Sequence, residues 1–135
     1  MVAVSAKEDI IVEAIGLIVW EGTNIQLDFY TLEGSHNDND LHSNPLAWGL
    51  PINNTGTFSL DTPQLIDFAI PPTEVRAGSV RSFYVIVSSD NGKGLYVGSK
   101  EAPEATDGRI EIQSPARVFL SSDPFGGQSF PLYSL

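Results

Sequence analysis

The sequence predicts an all-β fold, an antiparallel β-sandwich of jelly-roll-like form with about nine or ten short strands. Three observations lead there. The stretch Val80–Val87 alternates, with Arg81, Phe83, Val85 and Val87 on one face and Val80, Ser82, Tyr84 and Ile86 on the other. Its β-branched and aromatic residues suit a pleated surface, so it reads as a strand near the middle of a sheet with Phe83, Val85 and Val87 inward. Turn residues recur at intervals of roughly 8–12 residues, as in sandwiches. No segment shows a sustained helical period with caps.

The other elements follow in order. Val2–Ala6 alternates briefly and suits an edge strand. Ile10–Trp20 could be carried by a helix, but its β-branched density and Gly16 favour a strand, with Ile11, Ile15, Leu17 and Val19 on one face and Glu13 as the misfit. Asn24–Thr31 alternates cleanly, placing Ile25, Leu27 and Phe29 inward and Gln26, Asp28 and Tyr30 outward. Gly34–Asn44 is polar and is expected on the surface. Pro45–Leu50 is short and apolar. Asn53–Gly56 reads as a turn and Thr57–Leu60 as a strand. Leu65–Ile70 is extended, and Pro71-Pro72 should stop it. Ala77-Gly78 is a turn before the central strand. Ser88–Gly94 is expected to be a hairpin loop with Leu95–Val97 returning as partner. Ala102–Gly108 is a loop. Arg109–Gln113, with Ile110 and Ile112 inward, Arg117–Leu120 and Phe130–Leu135 complete the strands, with a turn at Phe125–Gly127.

A chain of 135 residues fits one domain, 1–135. With 41% hydrophobic residues it can bury one core. Seventeen acids against seven bases give a formal charge of −10. That surface repels phosphate backbones and anionic lipid, so neither nucleic acid nor such a membrane is expected as a partner. There is no cysteine, which removes disulfide and thiolate chemistry. The longest apolar run, Ile10–Trp20, is too short to span a bilayer as a helix.

Candidate sites are few. His36 and His42, the only histidines, flank Asp38 and Asp40. Imidazole and carboxylate together suit zinc or acid–base work, although the spacing fits no helix face. Asp38, Asn39 and Asp40 offer oxygen ligands for calcium, against the alternative of a solvated turn. Glu101, Glu104 and Asp107 form a second acidic loop. Trp20, Trp48, Tyr30 and Tyr96 could stack on sugar rings, with Trp48 and His42 beside the polar loop; the alternative is core packing. No Gly-x-Ser-x-Gly elbow or phosphate loop is present. Asn53-Asn54-Thr55 is a glycosylation sequon.

Six motifs occur in a suggestive order. Phe29–Ser35 (Phe-Tyr-Thr-Leu-Glu-Gly-Ser) precedes Pro45–Trp48 (Pro-Leu-Ala-Trp). Val75–Val85, Leu95–Gly98, Ile110–Ile112 and Pro124–Gly126 follow. Over roughly Asn24 to Gly126 this order resembles a β-sandwich module that recurs in secreted and surface proteins of microalgae, especially diatoms. It is more distantly similar to PHR-type sandwiches and to bacterial extracellular sandwich modules. The resemblance implies an extracellular or cell-surface setting and no reaction. It carries no catalytic residue over. The expectation is therefore a non-enzymatic module for adhesion or carbohydrate contact with a glycan or protein surface. The alternative is a structural subunit that homo-oligomerises through sheet edges or the C-terminal segment, and a small hydrolase is the third reading.

Overall fold

A computed structural model describes residues 1–91, 108–113, 116–119, 125 and 129–132. It is all-β and antiparallel, with nine strands among the described residues. These are β1 (Val2–Ala6), β2 (Ile10–Val19), β3 (Gly22–Glu33), β4 (Asn53–Leu60), β5 (Gln64–Val75), β6 (Val80–Ser88), β7 (Ile110–Gln113), β8 (Ala116–Phe119) and β9 (Ser129–Leu132). Among the described residues the α-helical turn is α1 (Pro45–Trp48), preceded by a 3₁₀ segment at Asp38–Ser43.

Five strands form one sheet in the order β4-β3-β6-β1-β7, β2 pairs with β5, and β8 pairs with β9. The central position expected for Val80–Val87 is therefore the observed one. The first six strands pair as nested hairpins: β3 with β4, β2 with β5, and β1 with β6. β3 also pairs antiparallel with β6 inside the large sheet, from Gln26↔Ser88 to Glu33↔Arg81.

The core lies between the large sheet and the β2–β5 ribbon. Ile25, Leu27 and Phe29 of β3 and Phe83 of β6 meet Val19 of β2 and Ile70 of β5. The Phe29 and Phe68 rings cross between the layers at 5.6 Å. Each large side chain so buried contributes on the order of 1.5–3 kcal/mol. Val85 and Val87 join from β6, Val2 and Val4 from β1, as alternation requires.

Two expectations about β2 and β5 are corrected. Ile11 does not share the inward face and is 63% exposed. Pro71-Pro72 does not end β5, which continues to Val75. One irregularity explains both. Between the pairs Ala14↔Ala69 and Val12↔Thr73, β2 advances two residues while β5 advances four. The prolines occupy this bulge, where a missing N–H takes no bond from the ladder. The bulge inverts the inward phase of both strands. Ile15, Leu17 and Val19 point inward on one side of it; Ile10 and Val12 do so on the other.

Asn53–Gly56 is likewise not a turn but the first half of β4. Gly56, at φ +68°, forms a bulge opposite β3, with its N–H donating to Asn54 Oδ1 at 2.8 Å. The Gly78 turn is as expected, with φ +75° and Ser79 N–H donating to Arg76 O at 2.9 Å. Ile110 and Ile112 pair with the inward-facing Ala6 and Val4, but β7 lies at the sheet edge and Ile112 remains accessible. The C-terminal strand β9 pairs with β8 of the same chain. The loop expected at 102–107, the strand at 95–97 and residues 133–135 lie outside the described residues.

Candidate functional site

Two places hold the candidate chemistry: the segment 34–48, and the outward face of the β2–β5 ribbon.

The segment 34–48 covers part of the outer face of the large sheet. That face carries small residues at its centre, Ser82 on β6 opposite Ala3 on β1, and both are fully buried. The recess is taken up by His36, which is 0% exposed. The surface position expected for Gly34–Asn44 holds for most of that loop and fails at His36. Composition placed the segment in solvent, but one small-residue recess in the sheet draws a single ring inside. Ser82 Oγ accepts from His36 N–H at 2.8 Å and donates to Gly34 O at 2.9 Å. His36 Nδ1 lies 3.3 Å from the same oxygen. A hydroxyl has one proton, so with that proton on Gly34 O the Nδ1 atom is the donor to Ser82. The serine thus ties three groups of the segment to the central strand. A serine and histidine so enclosed have no open side for a substrate to reach.

Trp48 packs on the same face. It is 3% exposed, its Nε1–H donates to Leu41 O at 2.9 Å, and its ring meets Tyr84 edge-on at 5.7 Å. Tyr84 and Tyr30 in turn meet Phe125, at 5.3 and 6.0 Å. These rings are one another's neighbours. Desolvation, and secondarily the charge of Asp28, hold the Tyr30 phenol above the ordinary tyrosine range. His42 is half-buried, and its N–H donates to His36 O at 2.9 Å. Tyr96 lies outside the described residues.

Asp38, Asn39 and Asp40 are exposed. Asn39 and Asp40 both take left-handed backbone angles, φ 50° and 56°, which Asn and Asp tolerate best among residues with a side chain. Ser43 Oγ donates to Asp40 O at 2.9 Å, so a backbone oxygen serves that turn. Among the described residues no group of three or more His, Cys, Asp or Glu side chains converges to hold a metal ion. Glu101, Glu104 and Asp107 lie outside the described residues. Asn53 of the sequon donates through Nδ2 to Ala69 O at 2.6 Å, linking β4 to β5. No helix among the described residues is long and apolar enough to cross a membrane.

The ribbon's outward face was missed in the sequence. Ile18 and Leu65 are directly opposite each other and are 41% and 70% exposed. Next along the ribbon come Gly16 opposite Asp67, Ala14 opposite Ala69, then Glu13 beside Pro71-Pro72, and Ile11 opposite Glu74. Most of this surface is aliphatic, glycine or proline, in a strip that faces water. The signal was the continuous run Ile-Ile-Val at 10–12 and Leu-Ile-Val at 17–19. A strand with apolar residues on both faces is either covered twice or offers one face to a partner.

No family model, curated protein or solved structure matches the chain.

Proposed function

We propose that this chain is a non-enzymatic, jelly-roll-like β-sandwich module of an extracellular or cell-surface protein, and that it works in adhesion by direct surface contact. The nested pairing of β1–β6, β2–β5 and β3–β4 supports the jelly-roll-like reading, since a rolled antiparallel ribbon produces that order. The setting is inferred from the resemblance to the microalgal surface module. Fold alone assigns no activity, so the functional reading rests on the surface. One observation carries it: Ile18 and Leu65, directly opposite each other, and Ile11 beyond the bulge stand in solvent along the outward face of the β2–β5 ribbon. Exposed apolar residues grouped on one face of a strand pair mark an interaction site, whereas scattered single residues do not. Protein or other apolar surface is favoured over sugar stacking, because Trp48 and Tyr84 are buried and pack edge-on against each other, leaving neither ring face open to a sugar.

Adsorption of the full chain to alkane-, amine- and glycan-coated sensors, read by quartz-crystal microbalance, tests this. Leu65→Asp should cut adsorption on the surface that binds best by about tenfold, roughly 1.4 kcal/mol. Adsorption of Leu65→Asp equal to that of the parent on every surface would reject the contact face. Retention on the glycan surface alone would redirect the function to carbohydrate contact elsewhere on the molecule.

A further inference from the structure

The two strands of the β2–β5 ribbon carry charged residues of one sign. Neither strand contains a lysine or arginine, and both carry exposed acids: Glu13 on β2, Asp67 and Glu74 on β5. Glu74 is engaged by Arg76, Nε to Oε2 at 3.4 Å. Glu13 and Asp67 make no ion pair among the described residues. Asp67 leans across Gly16, where a Cβ would come within 2.8 Å of its Oδ1. Its carboxylate therefore sits over the middle of the strip, one row from the Ile18–Leu65 pair. Aliphatic and acidic groups alternate along the ribbon.

Three properties choose the occupant. Same-face residues on a strand repeat at about 6.6 Å, twice the rise per residue, and an extended chain laid along the ribbon has the same repeat. The strip is only two strands wide and about ten residues long. On the order of 300 Å² is available, well under the roughly 800 Å² per partner of a standard folded interface. A second copy is further disfavoured because its Glu13 and Asp67 would meet like charges within a molecule of net charge −10.

We propose that this strip docks an extended basic segment of a partner protein, one that alternates aliphatic side chains with lysine or arginine. Its aliphatic groups cover Ile18 and Leu65, and its cations reach Asp67 and Glu13. The inference rests on the reading of this face as the contact surface and adds the partner's chemistry.

Two synthetic peptides of about ten residues test it, one alternating lysine with valine and one alternating glutamate with valine, each titrated into the full chain and followed by fluorescence anisotropy. The lysine peptide should bind and the glutamate peptide should not. Raising salt from about 20 mM to about 500 mM, which shortens the Debye length from roughly 20 Å to about 4 Å, should weaken binding about tenfold or more. Glu13→Gln with Asp67→Asn should do the same at low salt, and Leu65→Ser should weaken binding at either salt concentration. Equal binding of the two peptides, indifference to salt and to the amide variants, or no binding of the lysine peptide up to millimolar concentration would overturn the inference. Loss of surface adsorption in Leu65→Ser alongside such a result would leave the contact reading standing. Unchanged adsorption in that variant would remove both.

Discussion

Ser82 shows how a single hydroxyl organises the covered face of the sheet. It accepts from His36 N–H, donates to Gly34 O and faces His36 Nδ1, all without solvent. Ser82→Ala removes one atom but strands a buried backbone N–H and a buried ring nitrogen. Leaving such groups unsatisfied costs about 1–3 kcal/mol, and chemical denaturation should show a loss of that size. Trp48 anchors the same segment, so its emission should shift as the segment loosens, well before global unfolding. A loss below about 0.5 kcal/mol, ordinary for a surface change, would mean that the segment is not tied down at this serine. Little of this was legible beforehand. The outward position of Ser82 followed from alternation, but Ala3 comes beside it only through the pairing of β1 with β6, residues far apart in sequence. A polar loop with one buried ring looks like any polar loop until that recess is known.

Strands were more legible than their irregularities. Periodicity placed β3 and β6 and assigned their inward residues correctly, because a period of two survives wherever the ladder is regular. It failed at Ile11, at Pro71-Pro72 and at Asn53–Gly56, and each failure lies in a bulge or just beyond one. Bulges shift phase without interrupting pairing, and their residues are those of turns. Gly56 tests this reading. Its φ is +68° and no atom would meet an added Cβ within 4 Å, so a substitution there is strained by backbone alone. Gly56→Ala should cost about 1–2 kcal/mol, and Gly56→Asn less, since Asn tolerates the left-handed region better. Equal and negligible effects of the two substitutions, measured by denaturant midpoint at constant slope, would show that β4 is regular there.

At the scale of the molecule, the chain builds a two-sided ribbon and uses the sides differently. The inward side of β2–β5 supplies Val19 and Ile70 to the core. The outward side leaves Ile11, Ile18 and Leu65 in water. All-β character was readable from composition and alternation. Which apolar face would stay open was not, because that depends on which elements cover which, and strand spacing does not encode it. Leu46 and Leu50 are more exposed still, at 90% and 87%, but they sit on a short turn rather than in a row. The two places make different contact surfaces, and hydroxyl-radical footprinting distinguishes them. The chain would be labelled free in solution and again adsorbed to its best-binding surface, with modification read at each side chain by mass spectrometry. Free, Ile11, Ile18, Leu65, Leu46 and Leu50 should all be modified. Adsorbed, Ile18 and Leu65 should be protected while Leu46 and Leu50 stay reactive; unchanged modification of Ile18 and Leu65, with protection elsewhere, would contradict the assignment of the β2–β5 face as the working surface.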